Sequence, residues 1–451
     1  MEFLLLPVLL VLTGGMLLIK LRFFFLIHPI KTLKRGIRAI KDKRAAKAFF
    51  LALAGTLGVG NVFGVALGLL IGGAGSLFWL LVSMIFAMVI KYSEVVMASD
   101  NLYHESGTHG GFYYVIKSSF GRFGGVLSRL YAIATLSLSL VMGAALQSDA
   151  LRETVNEIHP ISNFTLAIAF TVLTLLSIIG GTEKIEKITA IIIPLTTIIY
   201  IFMTMSVIIV NAENIPSVVL YIMRSAFDIK SALGGGVAFL SFGAVREGFL
   251  RGLLSNEAGA GTSAIAHARS GVLSPASAGL LGILEVWFDT GLICMLTGLS
   301  ILLSVGDLSS FDGGMQLVMY AVGNLFGSGG KIITLACVFA FAFATVICWY
   351  YYGSEGWCAL FDRRHRLVFL PVFLGFVFLG CYLDSLLLVS ATDMLMALAT
   401  ALTLSALIKN SDRVKALSES GGVIDTDKGR IRPYRIKGNV FSKAGKRPWH
   451  R

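Results

Sequence analysis

Residues 54–64 read Ala-Gly-Thr-Leu-Gly-Val-Gly-Asn-Val-Phe-Gly and lie inside an apolar run over residues 45–70. Four of these residues are glycine, and two, Thr56 and Asn61, carry polar side chains. Glycine destabilises a continuous helix, and hydrocarbon leaves polar groups without partners. Irregular backbone at membrane depth is tolerated where it is buried in protein or lines a cavity, and there it can hold a solute and an ion. The stretch therefore predicts two half-helices around an unwound centre that forms the binding site of a transporter.

The composition is that of a polytopic membrane protein. Of 451 residues, 56% are hydrophobic and 14% are charged, and the mean hydropathy is +0.80. A chain of this length has room for about ten to twelve spans of about 20 residues. The predicted fold class is an all-α integral membrane protein. The five cysteines lie in apolar runs without metal-ligand spacing, so they are predicted to be packing residues.

The net charge of +12 is concentrated in two segments. Residues 28–47 carry eight Lys or Arg and one Asp, and residues 409–451 carry twelve Lys or Arg and four acids, which leaves −3 for the rest of the chain. Both basic segments border predicted spans. This placement favours a role in topology and contact with anionic lipid over a nucleic-acid partner. The first segment is amphipathic and is predicted to lie along the membrane surface.

Apolar runs predict eleven membrane-spanning helices. The first run lacks a basic leader and a small-residue cleavage site, so it is predicted to be a retained span rather than a signal peptide. The predicted spans lie at about residues 3–25, 45–72, 77–98, 124–150, 164–179, 188–210, from 235, 276–303, 329–360, 367–382 and 394–408.

The seventh span is predicted to be a second interrupted segment. It contains residues 239–243, Phe-Leu-Ser-Phe-Gly, and then reaches Arg246, Glu247 and Arg251 before a span of normal length is complete. Such a pair of interrupted segments, one in each half of a chain, is typical of transporters whose site lies at the bilayer midplane.

The charges of the loops predict the topology. With the N-terminus outside, the loops after odd-numbered spans face the cytoplasm, and most of the Lys and Arg residues fall in those loops, as does the C-terminal tail. Without the first span, ten remain, in two halves of five that must have opposite orientations. The predicted architecture is an N-terminal helix (1–27), a basic surface segment (28–44), a first five-helix repeat (45–212), an inverted second repeat (213–408) and a basic cytoplasmic tail (409–451).

Several polar residues are given structural roles. Lys91 and Glu94, three apart near the end of a span, are interpreted as a local ion pair. His267 has no partner at metal-ligand spacing and is interpreted as a hydrogen-bonding loop residue. The residues predicted to tie a cytoplasmic turn form one motif: Ser255, Asn256 and Glu257.

Four motifs together resemble the alanine or glycine:cation symporter family. They occur in the order and at the spacing of that family and cover most of the chain, and Ser-Asn-Glu-Ala-Gly is highly specific. The motifs are residues 54–61, 251–259 (Arg-Gly-Leu-Leu-Ser-Asn-Glu-Ala-Gly) with 265–267 (Ile-Ala-His), 285–290 (Glu-Val-Trp-Phe-Asp-Thr), and 341–353 (Phe-Ala-Phe-Ala-Thr-Val-Ile-Cys-Trp-Tyr-Tyr-Tyr-Gly).

The resemblance implies a bacterial or archaeal cell-membrane protein that couples uptake of a small neutral amino acid to sodium. It also implies a leucine-transporter-type fold with one added N-terminal helix, in agreement with the repeat predicted from charge and spacing. No cofactor is implied besides the coupling ion.

The resemblance also implies the site residues. Those expected to bind the carboxylate and amino groups of the solute are Gly58, Gly60 and Asn61. Those expected to close the pocket are Gln147, Ser241, Phe242, Gly243 and Trp349. Those expected to bind the cation, two of them through their carbonyls, are Ala54, Leu57, Phe341 and Thr345.

The chain departs from the family at several positions. Ala344 precedes Thr345 where the family usually has Ser, which removes a hydroxyl near the cation site, and Cys348 replaces a common glycine beside Trp349. Two alternatives therefore stay open on the same fold: coupling to protons, or transport of another small zwitterion. Neither Asp149 nor Glu247 is predicted to be a proton carrier, because both lie near span ends.

Two other classes of membrane protein are remote alternatives. A channel should show a repeated filter or an oligomeric pore signature, and the sequence shows neither. An enzyme needs clustered acid-base groups facing a cavity, whereas the polar residues of these motifs are mostly amides, hydroxyls and backbone groups.

Overall fold

The structure is a computed structural model that describes residues 5–104, 111–227, 238–268, 273–361 and 366–424. The side chains of residues 5, 101–104, 238–242 and 366–367 lie outside this description. Within these ranges every regular element is a helix. The α-helices are Leu5–Lys20, Phe24–Ile27, Pro29–Ala39, Lys43–Thr56, Phe63–Gly72, Gly75–His104, Phe112–Ser119, Gly124–Leu140, Leu146–Asn156, Asn163–Ile178, Gly181–Val210, Ile215–Ala226, Ala238–Asn256, Ala264–Ala268, Pro275–Val286, Met295–Ser304, Gly314–Leu360, Arg366–Gly380 and Ser385–Ser420.

The helices are those of a multi-pass membrane protein. Within the described residues, six are long and apolar enough to cross a membrane, and a bent pair makes a seventh. Three shorter apolar helices add to these: Leu6–Lys20, Asn163–Ile178 and Val368–Gly380. The all-helical fold class is confirmed. The count of eleven crossings, the domain bounds and the inverted repeat stay predictions.

The predicted interruption at residues 54–64 is present. Lys43–Thr56 and Val59–Gly72 are together long and apolar enough for one span, and they bend by 60° at the break between them. Asp42 caps the start of this span by accepting hydrogen bonds from the backbone N–H groups of residues 44 and 45. We call this bent pair the broken helix.

The second interruption does not lie where the sequence predicted it. Ala238–Asn256 is one continuous helix, so neither residues 241–243 nor the charged residues after them end it. Arg251 can be part of this continuous helix because its buried guanidinium is paired. Its Nε donates to Glu247 Oε2 at 3.1 Å and its Nη2 donates to Asp393 Oδ2 at 3.0 Å. A buried charge that is paired in this way can be kept within a membrane protein.

Residues 257–263 form the second break instead. Glu257, Gly259 and Gly261 have φ angles of 54°, 97° and 71°, which lie in the left-handed region and end the helix. Helix resumes briefly at Ala264–Ala268. The whole segment is buried, rather than lying on the surface as a cytoplasmic turn would.

Two π-helical segments join α-helices within long spans. Val141–Ala145 connects Gly124–Leu140 to Leu146–Asn156, and Trp287–Cys294 connects Pro275–Val286 to Met295–Ser304. Such wide turns are frequent at functional sites. Gly314–Leu360 comprises two helices that meet at a kink at Gly327, where the φ of 59° and ψ of −145° are not helical. The second of these helices begins close to residue 329, where the ninth span was predicted to start.

Candidate functional site

The unwound centre of the broken helix is enclosed by three other helices. Gly58 lies so close to two of them that a Cβ added to it would be 2.8 Å from Thr345 Oγ1 and 2.9 Å from Gln147 Oε1. On the other side, a Cβ added to Gly60 would be 3.4 Å from the carbonyl oxygen of Leu254. The glycines at these positions therefore allow three side-chain or backbone oxygens to approach the break.

Three of the residues expected to bind the cation converge. The Thr345 hydroxyl donates to the Ala54 carbonyl oxygen at 2.8 Å and lies 3.4 Å from the Leu57 carbonyl oxygen. These carbonyls have no hydrogen-bond partner within the helix, because the helix ends at Thr56. Phe341 is one helical turn before Thr345, and its ring packs against Tyr200 with centroids 5.8 Å apart. Hydroxyl and carbonyl oxygens in this arrangement are the ligands that sodium sites at unwound membrane helices use.

Gln147 and Trp349 also contact the broken helix. The Val59 N–H donates to Gln147 Oε1 at 3.1 Å, and the Gln147 amide is oriented by its own hydrogen bond from Nε2 to the Met142 carbonyl. Trp349 is buried, and its indole Nε1 donates to the Gly55 carbonyl at 3.2 Å. The two residues lie beside the unwound centre, and their role in closing a pocket stays a prediction.

The π-helical segment Val141–Ala145 allows the indole to fit. Gly143 is in this segment, and a Cβ at Gly143 would overlap the Trp349 side chain. Gln147 follows directly in the next helix. The wide turn thus positions both the glycine that accommodates Trp349 and the amide that contacts Val59.

Asn61 faces a different group of residues from Gly58. Its Nδ2 donates to Asp289 Oδ1 at 2.6 Å and to Ser255 Oγ at 2.9 Å. Ser255 in turn donates a short hydrogen bond to Asp289 Oδ2, which also accepts from Thr290. Asn61 Oδ1 is buried and has no partner among the described residues. The contact of Asn61 with Ser255 joins the broken helix to the end of helix Ala238–Asn256, two residues before the second break begins at Glu257.

Sequence reasoning did not assign Asp289 a role at the site. The residue is fully buried in the π-helical segment Trp287–Cys294, and within the described residues no ion pair joins it to Lys or Arg. A usable signal was present, because Glu285 and Asp289 are four residues apart in an apolar run. That spacing puts two carboxylates on one face of a membrane helix, which is rare unless they serve a function.

The motif at residues 255–257 makes the contacts of a turn-tying segment. The Asn256 amide donates to Thr290 Oγ1 at 3.0 Å and its oxygen accepts from the Ala258 N–H at 2.9 Å. Glu257 Oε2 accepts from Thr262 Oγ1 at 2.5 Å, across the second break. Ser255 differs, because it contacts Asn61 and Asp289 directly.

The structure does not bring Gly243 to the unwound centre. A Cβ added there would meet nothing within 4 Å. Ser255, which does contact the broken helix, lies twelve residues further along the same continuous helix, or about 18 Å away at 1.5 Å per residue. The side chains of Ser241 and Phe242 lie outside the described residues.

Buried charges hold the second break against its neighbours. The Lys91 ammonium donates to Ser263 Oγ at 2.8 Å and lies 3.7 Å from Glu285 Oε1. The other oxygen of Glu285 is 2.6 Å from His267 Nε2, so His267 forms a hydrogen bond as predicted, but it lies in helix Ala264–Ala268 rather than in a loop.

The Glu94 side chain binds backbone N–H groups of the second break. Its Oε1 accepts hydrogen bonds from the N–H groups of Gly259 and Gly261, at 2.8 and 3.0 Å. The prediction of a local pair between Lys91 and Glu94 is therefore wrong. Glu94 instead satisfies two backbone N–H groups that the unwinding of the helix leaves without helical partners, and Lys91 donates to the Ser263 hydroxyl.

Comparison with known proteins identifies related chains. The model of the sodium:alanine symporter family matches residues 1–419. An uncharacterized transporter of Haemophilus influenzae is 30% identical over 416 residues, 89% of this chain and 90% of that protein. The sodium/alanine symporter AgcS of Methanococcus maripaludis is 30% identical over 339 residues, 72% of this chain and 73% of that protein. The putative sodium/proton-dependent alanine carrier protein YrbD of Bacillus subtilis is 28% identical over 319 residues, 68% of this chain and 65% of that protein.

Proposed function

The chain belongs to the sodium:alanine symporter family, and on that basis we propose that it imports a small neutral amino acid, of the alanine or glycine class, together with sodium. It is a multi-pass membrane transporter and not an enzyme. The observation that carries the proposal is the convergence of Thr345 Oγ1 on the carbonyls of Ala54 and Leu57. These three oxygens form the sodium site, with Phe341 lining it.

The solute binds at the unwound centre, next to the sodium site. Its carboxylate is held by backbone N–H groups at the start of the second half of the broken helix, near Gly58 and Gly60, where the helix dipole favours an anion. The side-chain amides of Gln147 and Asn61 make the polar contacts that fix the orientation of the solute. The buried Trp349 ring leaves room for only a small side chain, which favours alanine and glycine.

Transport proceeds by alternating access around the two breaks. Asn61 and Ser255 join them by a hydrogen bond of 2.9 Å, which supports a midplane site shared by two halves of the chain. The architecture proposed is eleven spans, ten of them in a five-plus-five inverted repeat of the leucine-transporter type. The protein lies in a bacterial or archaeal cell membrane with its N-terminus outside and its C-terminus in the cytoplasm.

Uptake into proteoliposomes tests the function. Radiolabelled alanine and glycine are supplied with an inward gradient of sodium or of protons, imposed separately. Accumulation that requires sodium is the expected result. Accumulation with protons alone would exclude sodium coupling, and failure to accumulate either solute would exclude the alanine or glycine class in favour of another small zwitterion.

Substitution of Thr345 tests the sodium site. Thr345→Val removes the hydroxyl but keeps the shape of the side chain, so we expect apparent sodium affinity to fall about tenfold while the fold is kept. Thr345→Ser keeps the hydroxyl and should stay close to the wild-type affinity. The measurement is the sodium concentration at half-maximal uptake. Equal affinities for the valine and serine variants would remove Thr345 from the site.

Asp289 favours a second candidate function, proton-coupled uptake. It is a fully buried carboxylate without a basic partner among the described residues, in contact with Asn61 of the broken helix. A carboxylate in such a place is suited to carry a proton. The related YrbD protein of Bacillus subtilis is named as a putative sodium/proton-dependent alanine carrier protein.

Asp289→Asn separates the two candidates. With sodium coupling, we expect the variant to keep sodium-driven uptake, reduced about tenfold because its charge-assisted hydrogen bonds with Asn61 and Ser255 are lost. With proton coupling, the variant would lose all accumulation driven by a proton gradient. The readout is initial uptake rate under each gradient, compared with the wild-type protein in the same vesicles.

A further inference from the structure

A cavity of about 200 Å³ lies where four segments of the chain meet. These segments are residues 22–28, the surface helix Pro29–Ala39, the helix Pro275–Val286 and residues 422–424, which follow the last helix. The polar side chains that line the cavity are those of Arg22, His28, Lys31, Thr32 and Arg35.

Among the described residues that line the cavity, the charged side chains are basic and none is a carboxylate. Lys31 and Arg35 are four residues apart in one helix, so both project from the same face. Arg22 enters from another segment of the chain. Three permanent cations therefore face one small volume, an arrangement that repels cations and is suited to a multivalent anion.

The Arg35 guanidinium is already oriented. Its Nη1 donates to the carbonyl of Gly422 at 2.9 Å, which ties the surface helix to the residues after the last helix. A guanidinium has five N–H donors in a rigid planar fork, so one such bond leaves the others able to bind phosphate.

The backbone before the cavity is strained. Arg22 and Phe23 are consecutive non-glycine residues with φ angles of 56° and 51°. Left-handed conformations are costly for residues that carry a Cβ, and they are found most often at sites of function. Here they turn the chain sharply after the first helix, so that Arg22 lines the cavity.

The surface helix is placed to meet a lipid headgroup. Exposed Ile30 and Ile37 lie on it, and exposed Ile27 precedes it, so an apolar side is available to the membrane. Basic pockets between membrane helices at the cytoplasmic face are known to hold anionic headgroups.

We propose that this cavity is a binding site for a phosphate-bearing anion, either a lipid headgroup or free phosphate. Binding there would reach the transport site through the surface helix. That helix packs against Pro275–Val286, where a Cβ on Gly36 would lie 3.3 Å from the Leu280 carbonyl, and it leads through Asp42 into the broken helix. The site therefore offers control of transport by the anion content of the membrane or the cytoplasm.

Paired charge removals test the proposal. Lys31→Gln with Arg35→Gln removes two cations from the cavity, whereas Lys34→Gln with Arg38→Gln removes two from the same helix outside it. Native mass spectrometry of the full chain titrated with phosphatidylglycerol, and separately with phosphatidylcholine, measures lipid affinity. We expect the cavity pair to lose about tenfold or more in phosphatidylglycerol affinity and the control pair to lose much less.

A second arm identifies the source of the anion. The protein in phosphatidylcholine nanodiscs is titrated with inorganic phosphate, with chloride as control. Phosphate binding that depends on Lys31 and Arg35 supports a free anion, and its absence together with phosphatidylglycerol binding supports a headgroup. Equal losses in the two variant pairs, or no binding of either probe, would overturn the proposal.

Two features keep the test decisive. Should the double variant fail to fold because Arg35 also binds Gly422, Lys31→Gln alone leaves that contact intact and still removes one cavity charge. The readout is binding rather than uptake. Failure of the proposed transport function would therefore not change the result.

Discussion

Gly58→Ala is expected to reduce sodium-driven uptake by about a hundredfold or more. The added methyl group would lie 2.8 Å from Thr345 Oγ1 and 2.9 Å from Gln147 Oε1, closer than carbon and oxygen can approach without a shift. It would displace one oxygen of the proposed sodium site and one of the proposed pocket together. The backbone at Gly58 has φ −110° and ψ −156°, which alanine can adopt, so the expected loss is steric in origin.

Gly64→Ala is the matched control. It lies in the same broken helix, and its added Cβ would make only ordinary contact, 3.4 Å from Leu254 Cδ2. Uptake by this variant should stay near the wild-type rate. Thermal unfolding of both purified variants shows whether each has folded. A folded Gly58→Ala variant with wild-type uptake would mean that the unwound centre does not bind the solute or the ion.

Glu285→Gln is expected to lower the free energy of unfolding by about 3–5 kcal/mol. Glu285 is fully buried between Lys91 and His267, and the substitution removes the negative charge that lies 3.7 Å from the buried Lys91 ammonium. The loss should appear in chemical unfolding of the protein in mixed micelles. Because Lys91 and His267 both hold residues 257–268, the second break should also become accessible to protease before the rest of the chain.

Asp412→Asn is the matched control, because it also removes a carboxylate from an ion pair, but at the protein surface. Asp412 pairs with Lys20 at 2.7 Å, but its side chain is 88% exposed to solvent. Water screens such a pair, so little change in stability is expected. Similar losses in the two variants would contradict the assignment of Glu285 as a buried anchor of the second break.

The first break could be predicted because its causes are local. Glycines at 55, 58, 60 and 64 and the polar side chains of Thr56 and Asn61 disfavour a continuous helix in hydrocarbon whatever surrounds them. The convergence of Thr345 on Ala54 and Leu57 joins residues almost three hundred positions apart. It could be expected only from the resemblance to a family, since no spacing in the sequence indicates it.

The second break was misplaced because its cause is tertiary. Charged residues such as Arg251 were expected to end the span. Hydrogen bonds from the Arg251 guanidinium to Glu247 and Asp393 instead allow this residue to be part of a continuous helix. Asp393 is 142 positions away from Arg251, so this pairing could not be predicted from the local sequence. The same holds for Lys91, whose partner in the structure is Glu285 rather than the nearby Glu94.

The wide turn at Val141–Ala145 has a consequence for how relatives diverge. A π-turn holds about one residue more than an α-turn, so a single codon lost there would restore an ordinary helix. The residues after it would rotate by about 100° relative to those before it. Gln147 would leave Val59, and Gly143 would no longer accommodate Trp349. A related protein could thus change which polar residues line this pocket through one insertion or deletion, without a substitution at any lining position.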